Sequence, residues 1–319
     1  VRRLARDGVG SGRLAFSSDG RQLYGLFGAQ LVGWDLAGGS ARPVWRAGSW
    51  LHGQGRRPLC SPCGRWLVEV GRYSLAVYDP STPRSEQDRP AWAGDGSLRD
   101  AAFSPGGGEL LTVCARTPYR DQTRCVTRWQ VGTWAEQADP PAFGLEDEPD
   151  AVRGASSWLA VSADGSRVAA DTYALRTDRS TRYDRTLTVW DRTTGRVVAD
   201  GRVDSSGAER LLFTADGTGL LMDLCRSLVR HDAETLRLTA EYHPPDGSVL
   251  NETAVGADGR WVVAGIGERV VLLDPTTLQV GAEYDFGLGP LTRVAVAPDG
   301  LTAAACGVSG RVVLFDLDG

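Results

Sequence analysis

Lysine is absent from this chain, and all 35 basic residues are arginine. A phosphate-cradling GxxxxGK[ST] loop is therefore impossible. Methionine, isoleucine and asparagine occur once each, as Met222, Ile266 and Asn251. The codons of lysine, isoleucine and asparagine are AT-rich, so their scarcity points to a GC-rich, bacterial source. Histidine is limited to His52, His231 and His243, which are scattered and too few for a zinc cluster by themselves. No apolar run approaches the roughly 20 residues of a membrane-spanning helix. A basic start followed by an apolar core, the mark of a secretory signal, is also missing. The expected location is cytoplasmic, with no membrane partner. The chain begins at Val1 and its one methionine is internal. The expectation is a piece of a longer protein, with the natural start upstream.

Net charge is −5, with 40 acidic residues against 35 basic ones. Nucleic acid is an unfavoured partner, because such binding neutralises phosphates with a basic surface. Six cysteines, Cys60, Cys63, Cys114, Cys125, Cys225 and Cys306, do not make a disulfide framework in a chain of 319 residues. Cys60 and Cys63 form a lone C-x-x-C, and a structural role outweighs a metal site. Cys114 and Cys125 flank a loop and could be bridged only if geometry allows.

What the chain has in quantity is glycine at fixed places. An apolar strand followed by a Gly turn recurs seven times: LAFSSDG (14–20), PLCSPCG (58–64), AAFSPGG (101–107), LAVSADG (159–165), LLFTADG (211–217), TAVGADG (253–259) and VAVAPDG (294–300). A second strand follows each turn. A third then ends in an apolar or aromatic residue plus Asp, as in Trp34-Asp35, Trp190-Asp191 and Phe315-Asp316. From turn glycine to this point the gap is 15 residues in four repeats and 16 in the last. A more polar fourth strand comes next. Seven units of about 42 residues with four short strands each predict an all-β, seven-bladed β-propeller with four-stranded antiparallel blades. The whole of 1–319 reads as one domain. Its repeat cores span 14–35, 58–79, 101–130, 159–191, 211–232, 253–274 and 294–316.

The segment DRTLTVWD (Asp184–Asp191) resembles the third strand of WD40 repeats. The other units depart from that pattern. None opens with Gly-His, and the Asp six residues before the Trp occurs only as Asp184. The resemblance is to a divergent, bacterial-type WD40-like propeller. It implies a ring closed by the N-terminal strand, with Val1–Arg6 pairing with Arg311–Leu317. It also implies a monomeric interaction module.

The repeat breaks in units three and four. Their gaps from turn glycine to third-strand end grow to 23 and 26 residues. The extra residues are ARTPYRDQTRC (115–125) and ALRTDRSTRYDR (174–185), and an acidic run (144–157) enters unit four. The family resemblance implies that these loops share one face. Arg120, Tyr119, Arg176, Arg179, Arg182 and Tyr183 then form a candidate docking surface, with Glu146 and Asp147 beside it. Arg and Tyr are enriched at interfaces because they join area to directed hydrogen bonds. An equally weighted alternative is that the acidic and basic loops merely pair with one another. Trp50 and His52, in the connection to unit two, complete the candidate set.

No catalytic triad, metal set or dinucleotide loop is legible, so no cofactor is expected. The expected function is a non-catalytic scaffold or sensor that docks a protein, a peptide or another domain of the same chain. The alternative is a small-ligand binder or lactonase- or quinoprotein-like enzyme with its site at the central channel.

Overall fold

The seven turn glycines, from Gly20 to Gly300, all have φ between 68° and 73° in the computed structural model of the chain. This is left-handed backbone, where a Cβ is penalised. Where Asp precedes the glycine, it contributes through its side chain, not through a positive φ of its own. Ser162 Oγ donates to Asp164 Oδ1 at 2.6 Å, and the same oxygen accepts the N–H of Ser166 at 2.9 Å. Ser162 Oγ also accepts the N–H of Arg167 at 2.9 Å, which closes the turn. Ser17 with Asp19 and Thr214 with Asp216 repeat the arrangement. In the second unit Cys63 takes the Asp position, with Sγ 3.3 Å from Ser61 Oγ. The C-x-x-C is thus part of a turn, as its alignment predicts.

The structure describes residues 1–4, 12–27, 30–37, 43–48, 58–70, 75–79, 97–115, 126–137, 151–154, 158–176, 184–203 and 210–318. Strand β1 (Arg2–Leu4) precedes the first blade, which holds β2 (Gly12–Phe16), β3 (Gln22–Phe27), β4 (Gln30–Asp35) and β5 (Pro43–Gly48). The second shows three strands among the described residues: β6 (Pro58–Cys60), β7 (Leu67–Val70) and β8 (Leu75–Tyr78). The third has β9 (Ser97–Phe103), β10 (Glu109–Ala115), β11 (Val126–Gln130) and β12 (Glu136–Gln137). The fourth has β13 (Ala151–Gly154), β14 (Leu159–Val161), β15 (Arg167–Arg176), β16 (Asp184–Asp191) and β17 (Val197–Arg202). The fifth has β18 (Arg210–Phe213), β19 (Gly219–Asp223), β20 (Leu228–Asp232) and β21 (Leu238–Tyr242). The sixth has β22 (Leu250–Val255), β23 (Val262–Ile266), β24 (Arg269–Leu273) and β25 (Val280–Asp285). The seventh has β26 (Leu291–Val296), β27 (Thr302–Gly307) and β28 (Val312–Asp316), with β1 as its fourth strand. Every strand pairing is antiparallel, which gives the expected seven-bladed propeller.

The ring closes as expected: Arg2, Arg3 and Leu4 pair with Leu314, Val313 and Val312. Leu4 is 2% exposed, and Arg2 Nη1 donates to the carbonyl of Leu36 at 2.9 Å, tying the closing strand to the first blade. Removing residues 1–8 is expected to cost about 2–3 kcal/mol, chiefly the burial of Leu4 and the lost ladder on β28. An unchanged thermal melt would refute this role.

Among the described residues, six apolar clusters hold neighbouring blades together, and several of the residues ending the third strands pack toward the preceding blade. Trp34 joins Val312 and Leu314 of the seventh blade, and Trp129 joins Val68 and Val77 of the second. Trp190 joins Leu111 and Val113 of the third, and Phe315 joins Val263 and Val270 of the sixth. Trp66 and Trp134 meet edge to face at 5.7 Å between the second and third blades. His231, standing at the Trp position of its blade, is buried with Nδ1 2.9 Å from the Leu236 carbonyl. His243 is exposed and pairs with Glu241 at 2.8 Å.

The fourth blade differs from the sequence expectation. Part of its acidic run is strand: Ala151–Gly154 pairs with Tyr173–Arg176. The insertion is also shorter than expected, since Ala174 pairs with Asp184 and Tyr173 with Arg185. These residues prolong the β15–β16 hairpin, and 177–183 alone remain between the strands. The repeat pattern did not show this extension, because Ala151–Gly154 lies in the acidic run outside the repeat core and its register is carried by backbone pairing.

Candidate functional site

Of the sequence-predicted site residues, Arg176 ends β15, where it pairs with Ala151. Tyr119, Arg120, Glu146, Asp147, Arg179, Arg182, Tyr183, Trp50 and His52 lie outside the described residues. So does Cys125. The ends of β10 and β15 and the starts of β11 and β16 all lie at one end of the ring, given by their antiparallel register. The starts of the innermost strands β2, β18, β22 and β26 lie at that same end.

At this end the structure assembles a site that sequence reasoning did not identify. The residue seven positions before the turn glycine is Arg13, Arg57, Asp100, Trp158, Arg210, Glu252 or Arg293, blade by blade. Five of these, Arg13, Trp158, Arg210, Glu252 and Arg293, line one cavity of about 240 Å³ at the channel mouth, together with Asp223 and Asn251. Arg57 lies outside the described residues. Asp100 is buried and serves the backbone: it accepts the N–H groups of Ala101 at 2.9 Å and Leu159 at 3.1 Å, linking the third and fourth blades. The constant offset from the turn glycine was the available signal. It is invisible until the repeats are stacked, because the residues stand about 40 positions apart in the chain.

The geometry is set by carboxylates placed between guanidinium groups. Glu252 is buried, with Oε1 2.9 Å from Arg210 Nη1 and Oε2 3.8 Å from Arg293 Nε. One acid thereby bridges arginines of the fifth and seventh blades. Arg210 Nη1 also donates to the carbonyl of Thr253. Asp223 pairs with Arg210 in the β18–β19 ladder and is 3% exposed. It accepts the Thr253 hydroxyl at 2.6 Å and the Thr253 N–H at 3.2 Å. Burial pushes its carboxyl up to about 6, outweighing those hydrogen bonds and the attraction of Arg210, while Glu252 adds to the rise. Trp158 is positioned by Asp171, whose Oδ1 accepts its backbone N–H at 2.6 Å. Asp171 and Asp223 occupy the same place in adjacent blades, six residues after the turn glycine.

Trp158 packs on the cluster of the fourth and fifth blades and also reaches the channel mouth. Trp261 packs against the sixth and seventh blades, and Gly281 leaves it room, since a Cβ there would lie 2.4 Å from the ring. Among the described residues, no three His, Cys, Asp or Glu side chains group in a way that could hold a metal ion. No helix is long and apolar enough to cross a membrane. The Cys60 thiol is pushed up to about 11 by burial, whereas the exposed Cys63 thiol is lowered by the Ser61 hydroxyl.

No protein-family model matches the chain, and no curated protein matches its sequence. Solved structures match its fold. The β-propeller domain of Myceliophteria thermophila Cps50 (Swd1) aligns with a TM-score of 0.69 at 17% identity, over 99% of this chain and 98% of that one. At that identity the likeness establishes the propeller fold.

Proposed function

We propose that this propeller is a non-catalytic, WD40-like interaction domain, and that a protein or peptide partner docks on the end that carries the channel mouth. The observation that carries the reading is the arginine-rich ring at that mouth. It opens on the same end of the ring as the prolonged β15–β16 hairpin. Propellers as a fold commonly serve as rigid platforms, and blades cemented by buried aromatic residues suit that role. The WD40-like assignment draws on the third-strand segment Asp184–Asp191. The reading takes 1–319 as one monomeric domain of a cytoplasmic protein. Arg179, Arg182 and Tyr183 belong to the proposed docking set, and the channel mouth supplies charge.

The test replaces residues 177–183 by Asn-Gly, which leaves Leu175-Arg176-Asn-Gly as a four-residue connection between the paired Ala174 and Asp184. Partners captured by the unaltered domain are expected to be lost from this variant. Unchanged capture would overturn docking at this end. The second reading, a small-ligand site in the channel, is favoured by one observation: the cavity has room for a small organic group.

A further inference from the structure

A cavity of about 360 Å³ opens at the turn end of the ring, between the fifth and sixth blades. Both blades are described throughout, over 210–285. Arg230 of β20 lines this cavity and is 8% exposed. The seam between the third and fourth blades shows what the repeat places at the same point. Arg128 stands there as Arg230 does here, two residues before the end of the third strand. It pairs with Glu109, which lies two residues after the turn glycine. Glu109 Oε2 also accepts Arg192 Nη2 of the fourth blade at 2.6 Å. In the fifth blade the Glu109 position is Gly219, and in the sixth the Arg192 position is Pro275, which lines the cavity. The equivalent buried guanidinium has thus lost its carboxylate, and the seam has lost the cation behind that carboxylate.

Arg230 is held instead by hydroxyls. Its Nη1 donates to Thr239 Oγ1 at 2.8 Å and its Nη2 to Thr218 Oγ1 at 3.1 Å. No carboxylate forms an ion pair with it among the described residues, although Asp216 and Asp274 sense its charge from farther away. Each terminal nitrogen carries two hydrogens, so each keeps one to give. Charge-assisted bonds from a guanidinium to a carboxylate are about twice as strong as those to a neutral acceptor. The rim of the cavity has the opposite sign, with Asp216 and Asp258 both exposed. An anion alone meets these two acids on its way to Arg230, and a cation alone meets Arg230. A ligand that carries both charges satisfies both, as Glu109 and Arg192 do together in the other seam.

We propose that this cavity binds a cationic α-amino acid, with its carboxylate on Arg230 and its side-chain cation between Asp216 and Asp258. Ala215, Ala257 and Pro275 supply apolar wall for the methylene groups between the two charges. The site lies at the opposite end of the ring from the channel mouth and does not depend on docking there.

The test is calorimetric titration of the full chain with L-arginine, which joins the missing carboxylate and the missing guanidinium in one molecule. Propionate and agmatine, each lacking one of the two groups, are titrated beside it. L-Arginine is expected to bind one to one with a Kd of roughly 0.1–1 mM, appropriate to a ligand of its size. Each half-ligand is expected to bind at least about tenfold more weakly. Arg230→Gln is expected to weaken arginine binding about tenfold, because the charge-assisted pair is gone. Gly219→Glu restores the carboxylate that the third blade has at this position, and is expected to weaken binding by at least about tenfold by occupying Arg230 from within. A Cβ at 219 would lie 2.6 Å from Arg230 Nε, at the movable end of that side chain. Thermal melts identify a variant that fails to fold, and the other variant then carries the comparison. Three results would overturn the site: no binding of L-arginine, propionate or agmatine binding within a few-fold of it, or arginine binding that survives both substitutions.

Discussion

Trp190→Ala is expected to lower the stability of the domain by about 3–5 kcal/mol, the range for truncating a fully buried aromatic residue. Trp190 is 0% exposed and sits at the seam between the third and fourth blades, among Leu111, Val113, Val126, Leu159 and Val168. These residues come from two separate sheets, held in place by their own ladders. The seam therefore cannot collapse freely to fill the void, which places the cost toward the upper end of the range. Trp190→Phe keeps most of the apolar area and is expected to cost less than half as much. The check is the midpoint and slope of equilibrium urea unfolding. A loss below about 1 kcal/mol for the alanine variant would mean that the seam contributes little to stability.

A second large effect concerns pH. The Asp223 carboxyl is raised from 3.8 to about 6 in the folded protein, with burial as the leading cause. The folded state therefore holds this proton more tightly than the unfolded chain does. The stabilising contribution is full below about pH 4 and is lost as pH rises through 6, because the slope of stability follows the difference in bound protons. A shift of this size corresponds to about 3 kcal/mol across that window. Carboxylates with lowered values, such as Asp164 held down by Ser162 and Ser166, act in the opposite sense but only nearer pH 2–4. Asp223→Asn is expected to remove the slope between pH 4 and 6 and to stabilise the domain at pH 7 by about 1–3 kcal/mol, while an amide oxygen still accepts from Thr253. A variant that is less stable than the parent at pH 7 would show that the attraction of Arg210 outweighs the cost of burial.

The two residues also differ in how openly the sequence announces them. Trp190 is legible because it closes a motif, with Asp191 behind it and an apolar strand before it. Its partners in the third blade are some 80 residues away, yet the repeat implies a neighbouring blade for it to pack on. Asp223 is not legible: it lies inside GLLMD, a short apolar strand, where an isolated acid has no pattern to belong to. The channel ring is hidden for a related reason. Each of Arg13, Arg210, Glu252 and Arg293 looks like an ordinary polar position at the start of a strand.

The closing strand came with the family resemblance, and the sequence by itself determined the blade count and the turns. These depend on local chemistry: a glycine at positive φ, a hydroxyl-and-carboxylate turn, and alternating strands repeated at fixed spacing. Only the tertiary structure decided that β13 prolongs the innermost edge of the fourth blade and that both ends of the loop insertion are strand. It also decided that three arginines and two acids share one cavity. Those outcomes depend on which residues the ring brings together at its axis. The electrostatic energy there depends on distances of 3–4 Å between side chains, such as Arg210, Glu252 and Arg293, that belong to different blades.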